Sequence, residues 1–468
     1  MKIVIIIPKC RKEPTSYPPY GAVYIGTWLK QNGYEVELLN LDINRICNKE
    51  VIEHITKLKP DVVGFSAIVS TSYGYVKELT FALKKYSADL KIIMGGQLSN
   101  AANVVLSSMP MDVVVIGEGE LTTVNLLKAF QNDQNLQEIP GIAFKQGNEV
   151  IFTPPGSQVQ NLDSLPDPDW DLINMDFYLV DPFERWGSFN ITKNFDHRFT
   201  EKKRQGKKSF TIMTGRGCSD WCSFCCRNIK GLRKNSADRI LDMMEHLIKK
   251  YNVGYFTFGD ESFSSHKKWV LDFLKKLDER NLDILFYVLG ARVDTIDKEL
   301  LIALKKSGCF MIEYGFEHGS QRMLDLMEKR STIAENLKAY WWTKEVGLFT
   351  VPANVINMPG ETSETINETI KFLTSLDVKN MQFFVNYAQA HPGTPLYDYA
   401  LLTGMIVDED RYLTNLTDMD AADTREAIKN GVLLNFSGLP LEEVLSWEKR
   451  IKDGIEQKLI KSEGKLYY

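Results

Sequence analysis

Long apolar runs are missing from this chain. No stretch approaches the about 18 consecutive apolar residues of a membrane span, and Ile3 to Ile7, just after the start, is far too short for a secretory leader. A soluble, cytoplasmic protein is the expectation. A basic excess is missing too: 56 Lys and Arg stand against 61 Asp and Glu, for a formal net charge of -5. That balance gives no footprint for a nucleic-acid backbone, so no nucleic-acid partner is expected and a small-molecule substrate is favoured. Of the seven cysteines, Cys218, Cys222, Cys225 and Cys226 crowd one loop while Cys10, Cys47 and Cys309 are scattered. Such spacing is no disulfide framework and suits a reducing compartment. No G-x-G-x-x-G follows the first apolar run, which argues against a dinucleotide.

At 468 residues the chain exceeds one ordinary core and implies two or three domains. Ile3 to Ile7 reads as a central strand of a parallel sheet, apolar throughout because both faces are covered. After the loop Tyr17-Pro18-Pro19-Tyr20-Gly21 comes a helix ending at Gly33, then strand Val36 to Leu39, a helix near Val51 to Leu58, and strand Val62 to Ser66. A helix near Tyr75 to Tyr86 and strands Ile92 to Met94 and Val113 to Ile116 complete the series. This alternation is a doubly wound, Rossmann-like α/β domain over residues 1–160. Such sheets bind ligands outside the carboxyl ends of their strands, where the chain places Ser66, Gly95-Gly96 and Gly117-Glu118-Gly119. These glycines also suit plain turns.

A Pro/Asp-rich linker begins near residue 161, and 183–208 is mixed aromatic and basic. That segment reads either as solvated chain or as a lid over an active site. From 209 to 404 strand and helix patterns alternate as a partial parallel (β/α)6 barrel, with strands at Ser209 to Thr214, Tyr255 to Phe258, Leu285 to Leu289, Phe310 to Gly315, Phe349 to Ile356 and Met381 to Val385. Residues 405–468 read as a C-terminal helical region that packs over the barrel mouth.

The densest chemistry is Gly-Arg-Gly-Cys218-Ser-Asp-Trp-Cys222-Ser-Phe224-Cys225, a C-x3-C-x2-C loop at the end of the first barrel strand. Three neighbouring thiolates can wrap an iron-sulfur cube and leave one iron open. A zinc loop or a disulfide staple are the alternatives, but zinc usually takes four ligands in two separated pairs, and no second Cys or His pair stands at that spacing.

The triad, with Phe224 before its third cysteine, resembles the signature of the radical S-adenosylmethionine (SAM) enzymes. The phrases Gly290-Ala-Arg292-Val-Asp294, Gly315-Phe-Glu317-His318-Gly319-Ser320, Asn357-Met-Pro359-Gly360-Glu361 and Pro392-Gly393-Thr394-Pro395 extend that resemblance through the barrel. With the Pro-Pro-Tyr20-Gly loop, Ser66, Gly95-Gly96 and Gly117-Glu118-Gly119 upstream, the whole resembles the cobalamin-dependent radical SAM family. The resemblance implies a 4Fe-4S cluster on Cys218, Cys222 and Cys225. It implies SAM near Phe224, Gly259, Asp260, Glu261, Glu317 and Ser320, and cobalamin against Tyr20, Ser66, Gly95, Gly96, Gly117, Glu118 and Gly119. Arg292 either lies near SAM or is a plain salt-bridge residue, and Asp260 and Glu261 either bind SAM or cap a helix. Where many relatives carry Asp-x-His-x-x-Gly below the cobalt, this chain reads Asp42-Ile43-Asn44-Arg45-Ile46-Cys47, with no histidine. A lower face without a strong protein ligand is therefore expected.

The resemblance implies methylation of an unactivated carbon using two SAM molecules, with flavodoxin or ferredoxin as electron donor. Family members that cyclise or contract rings keep that alternative open. A non-catalytic cobalamin or cluster sensor, and a radical SAM enzyme without cobalamin, complete the set.

Overall fold

The computed structural model describes the chain except residues 187–195, 227, 228, 230, 379–381, 420–423 and 462–468. It divides into two compact units. The first comprises 1–178, 226–230 and 390–423, and the second 179–225, 231–389 and 424–468. Residues 390–423, which the sequence reading divides between barrel and C-terminal region, thus belong to the first unit.

In the first unit a seven-stranded sheet runs β2-β1-β3-β4-β5-β6-β7, with β1 Lys2–Ile7, β2 Glu35–Asn40, β3 Val62–Ser66, β4 Lys91–Gly95, β5 Val113–Val115, β6 Ile142–Gln146 and β7 Glu149–Phe152. The first five are parallel, and Ile3 to Ile7 of β1 are buried as a centrally placed, fully covered strand requires. β6 and β7 add an antiparallel hairpin that the sequence reading did not anticipate. Its signal is the two-residue turn Gly147-Asn148, where Gly147 adopts φ 61. Helices Tyr20–Gln31 and Gly119–Gln131 supply Ala22, Leu29, Val124 and Leu127 to the core beneath β1 and β5.

The second unit holds six parallel strands in sequential order: β8 Lys208–Ile212, β9 Val253–Phe258, β10 Leu285–Ala291, β11 Cys309–Glu317, β12 Pro352–Ile356 and β13 Phe384–Tyr387. Helices follow most strands and define the outside. Phe258 meets Phe273 of helix Lys267–Glu279 edge-on at 5.4 Å, and the Tyr314 hydroxyl meets Thr343 of helix Ile333–Glu345 at 2.9 Å. Strand alternation then turns Tyr255, Thr257, Tyr287, Met311 and Glu313 toward the barrel interior.

Two expectations are corrected here. The described residues of 183–208 are no lid over the active end of the barrel. Trp186 and Phe199 pack on Tyr255, Leu285 and Phe310, near the amino-terminal ends of the strands, and Arg198 donates to the Cys309 carbonyl at 2.9 Å. Residues 187–195 of that segment lie outside the described residues. Aromatic side chains with no other core to join explain the placement, since they close the open bottom of the barrel. Nor does the C-terminal helix Leu441–Lys461 cross the barrel mouth. It lies along helix Ser363–Thr374, where Gly454 lets it approach Ile370 and Arg450 donates to Ser363 at 2.7 Å. The segment before it reaches the carboxyl end of β12, with Asn357 donating to the Leu434 carbonyl at 3.0 Å.

Candidate functional site

The cysteine loop leaves β8 at the carboxyl end of the barrel. Its base is an antiparallel ribbon, Gly215–Arg216 against Arg233–Lys234. A side chain on Gly215 would meet the Arg233 carbonyl at 2.4 Å, so glycine is required for the strands to close. The backbone of Ser223 donates to the Met327 carbonyl at 2.9 Å, which ties the loop to the far side of the sheet. Cys218 is half-buried, Cys222 buried and Cys225 exposed, and Phe224 is half-buried between them. Burial pushes the Cys222 thiol up, while the charges of Lys329 and Arg292 pull it down. Among the described residues, no group of three His, Cys, Asp or Glu side chains is already gathered as a metal site. The donor chemistry nonetheless fits iron, for which three soft thiols on one loop are suitable ligands. Cys226 takes a different partner set, accepting from Asn100 at 3.3 Å and facing the Pro392 carbonyl at 3.4 Å within the first unit.

Around the loop the sequence-selected side chains divide into open and engaged. Asp260 is buried and engaged: the Thr214 backbone donates to both its oxygens at 3.1 Å, the Thr214 hydroxyl at 2.8 Å and Lys234 at 3.2 Å. These bonds make the carboxylate a fastening for the base of the cysteine loop, beside the role at the SAM amino group that the sequence resemblance implies. Lys234 is itself held over Phe263 and Trp269 at 5.3 and 5.1 Å from the ring centroids. Glu261 is exposed. Neither acid caps a helix, since the next one, Lys267–Glu279, starts at His266. Gly259 packs against Thr211, 2.9 Å from where its Cβ would stand. Arg292 is the salt-bridge residue of the two readings, buried and paired with Asp220 at 3.1 Å and Asp294 at 3.0 Å. Its link to Asp220, inside the cysteine loop, makes it a brace for that loop.

Glu317 ends β11 in a left-handed conformation, φ 60, and pairs with buried Lys329 at 2.7 Å. Gly315 makes room for the pair, since a Cβ there would stand 2.0 Å from the Glu317 carboxylate. Burial works against the Lys329 charge, but Glu317 outweighs it and the ammonium is held above its usual range. Ser320 Oγ is buried and has no hydrogen-bond partner among the described residues, an acceptor and donor at the same turn.

The residue that shapes this turn was not singled out from the sequence. His318 is fully buried; its Nδ1 accepts from the Ser320 backbone at 3.0 Å, so its Nε2–H donates to Glu361 at 2.6 Å. Glu361 in turn accepts from the backbones of Asn357 and Met358 at 2.5 and 3.2 Å, after β12. The dyad sews the ends of β11 and β12 together and presents Glu317 and Ser320 on either side of it. A buried histidine and glutamate inside otherwise apolar strand ends were the available signal.

In the first unit the carboxyl ends of β3, β4 and β5 form a face of small groups. Gly96 has φ 95 and stands where a Cβ would meet the Ala67 carbonyl at 2.4 Å, so the backbones touch without side chains between them. Among the described residues, Gly117, φ 80, has nothing within 4 Å of its Cβ position, and Ser99 Oγ, just beyond Gly96, is buried without a hydrogen-bond partner. Ser66 is half-buried at the end of β3. These features fit a bulky polar ligand that needs backbone approach and hydrogen bonds. Gly119 packs instead against Ile25, Tyr20 sits edge-on to Trp170 at 5.3 Å, and buried Glu118 accepts from the Val159 backbone at 2.8 Å. Glu118 therefore fastens the chain beyond the sheet, correcting its expected place at the ligand. Asn44 is exposed, whereas Arg45 is held by Asp42 at 3.3 Å and the Arg11 carbonyl at 2.8 Å.

Comparison with known proteins agrees with this division. Residues 11–127 match the B12 binding domain family and 212–373 the Radical SAM superfamily. An uncharacterized methyltransferase of Pyrococcus horikoshii is 28% identical over 417 residues, which is 87% of this chain and 84% of that one. The anaerobic magnesium-protoporphyrin IX monomethyl ester cyclase of Cereibacter sphaeroides is 27% identical over 463 residues, 95% of this chain and 71% of that one. The fold is similar to that of the radical S-adenosylmethionine methyltransferase TsrM from Kitasatospora setae, solved with cobalamin and a [4Fe-4S] cluster, at TM-score 0.66 and 18% identity, covering 84% of this chain and 73% of that one. No described helix is long and apolar enough to cross a membrane. The chain carries a B12 binding domain followed by a Radical SAM superfamily domain, the pairing that its resemblance to the cobalamin-dependent radical SAM enzymes implies.

Proposed function

We propose that this protein methylates an unactivated carbon of a small molecule. The observation that carries the reading is the three-cysteine loop standing at the carboxyl end of the barrel beside Glu317 and the buried Ser320 Oγ, in a chain that also has a B12 binding domain. Cys218, Cys222 and Cys225 would hold the cluster, Glu317 and Ser320 the SAM methionine or ribose, and the Ser66, Gly95-Gly96 and Gly117 face the cobalamin. When bound, SAM with a reduced cluster supplies a 5'-deoxyadenosyl radical that takes hydrogen from carbon, and methylcobalamin supplies the methyl group. The chain's own part is orientation. Arg292 holds the cysteine loop through Asp220, and the His318–Glu361 dyad fixes the turn that aims Ser320. Asn44 is exposed and Arg45 is held by Asp42 and the Arg11 carbonyl, so neither would be placed to act as a strong ligand to a bound cobalamin. Electrons would come from a flavodoxin- or ferredoxin-type donor.

A second reading, oxidative ring formation, is favoured by the similarity to the cyclase along 95% of this chain. Product analysis separates the two. With SAM, reductant and substrate, a carbon methyltransferase yields S-adenosylhomocysteine and 5'-deoxyadenosine in about equal amounts, one SAM serving each half of the reaction. Deoxyadenosine without matching S-adenosylhomocysteine would identify the cyclase chemistry.

A further inference from the structure

Of the six histidines, only His54 and His391 belong to the first unit. His54, on helix Asn48–Leu58, is engaged with Glu37 at 2.5 Å. His391 has a different setting. The Tyr412 hydroxyl donates to the Ala390 carbonyl at 2.9 Å and the Thr394 hydroxyl to the His391 carbonyl at 2.8 Å, so its backbone is held on both sides. The ring is held as well, with Nδ1 at 2.9 Å from the hydroxyl of buried Ser70. Nε2 has no hydrogen-bond partner among the described residues and is not sealed from solvent. Ser70 opens the turn Ser70–Ser72 that follows β3, and Gly393 lies against Asn100 of the turn Gln97–Ala101 that follows β4, its Cβ position 2.6 Å from that side chain. His391 therefore stands at the carboxyl ends of β3 and β4, where Ser66, Gly96 and Ser99 also lie.

A tether between this segment and the turn after β3 needs only Nδ1. An imidazole whose one nitrogen is fixed by an outer partner while the other stays uncommitted is also how proteins present histidine to a metal, because the outer bond sets the tautomer and aims the lone pair. Burial pushes the His391 pKa down, which keeps the ring neutral and able to coordinate. We propose that His391 Nε2 is the protein's nitrogen ligand to the cobalt of a cobalamin bound by the first unit. Ser70 is its positioning residue: by accepting from Nδ1–H it leaves the lone pair on Nε2. His391 then supplies from a distant part of the sequence the imidazole that Asp42 to Cys47 lacks, in place of the unligated lower face that the segment by itself implies. The inference rests on the reading that cobalamin binds at the carboxyl ends of the first unit's strands.

The test is electron paramagnetic resonance of the full-length protein reconstituted with hydroxocobalamin and reduced only as far as cob(II)alamin, prepared once with ordinary histidine and once with 15N-labelled histidine. A coordinating nitrogen of natural abundance splits each cobalt line into a triplet, and a labelled one into a doublet, so a protein imidazole is told apart from the unlabelled benzimidazole of cobalamin itself. Doublets are expected in the labelled wild type, and their loss in His391→Ala. Ser70→Ala should weaken cobalamin binding by about tenfold, as loss of an outer partner of a metal-bound histidine does. Iron content and the circular dichroism melt report whether each variant is folded, and His391→Asn, which can keep the bond to Ser70, takes the place of an alanine variant that is not. Triplets that ignore the label, unsplit lines in the wild type, or doublets that survive in the folded variant would overturn the assignment while leaving cobalamin binding intact. A wild-type chain that retains no cobalamin would sink both.

Discussion

Single replacement of Cys218, Cys222 or Cys225 by alanine is expected to remove the cluster and all SAM cleavage, while Cys226→Ala keeps its iron. Three thiolates are the minimum that holds the cube with an iron left open, and the acid inside the loop, Asp220, is paired with Arg292. Cys226 is the adjacent thiol that would be the natural rescue, but its sulfur lies between Asn100 and the Pro392 carbonyl. Removing it loses two weak sulfur contacts and no ligand. Iron and sulfide analysis of the anaerobically reconstituted variants, with Mössbauer spectra, gives the answer. Iron retained in Cys225→Ala and lost in Cys226→Ala would mean that the motif has been read one residue out of register.

Glu317→Ala should be the most damaging substitution outside the cysteines, for two separable reasons. It strands the ammonium of Lys329, 7% exposed, in the barrel end, and an uncompensated buried charge costs about 3–5 kcal/mol. It also removes the carboxylate proposed to meet SAM. The double variant Glu317→Ala/Lys329→Met removes both charges, so stability measured by urea unfolding should return most of the way to wild type. SAM cleavage should not return. A double variant that recovers both would assign Glu317 a structural role alone.

The parallel strands of both sheets were legible because each is a short apolar run bounded by turns: Ile3 to Ile7 and Val62 to Ser66 are found where periodicity puts them. The cysteine loop was legible because its spacing is its chemistry. What could not be read were the long-range partners of charged residues. Asp260 and Glu317 are both acids at the carboxyl ends of barrel strands, and nothing local tells that Lys234, 26 residues earlier, and Thr214 engage the first, whereas Lys329 balances the second. The same applies to His318, whose partner Glu361 is 43 residues away. The plug at the barrel bottom was misplaced for a related reason: Trp186 and Phe199 advertise burial but not which end of the barrel they bury. The long amphipathic helix Leu441–Lys461 likewise shows one apolar face without naming the helix it packs against.

The central claim is that the first unit holds cobalamin at the carboxyl ends of its strands. Gly95 is the position to probe, because a Cβ there meets Val115 at an ordinary 3.8 Å and the sheet can carry a side chain, whereas an indole would fill the space a corrin ring needs. Wild type and Gly95→Trp, reconstituted anaerobically with hydroxocobalamin and desalted, are compared by absorption spectrum, cobalamin content and iron content. The account predicts about one cobalamin per wild-type chain, as a single such site requires, with cobalamin lost and iron kept in Gly95→Trp. Cobalamin retained in full by Gly95→Trp, or absent from wild type, would contradict it.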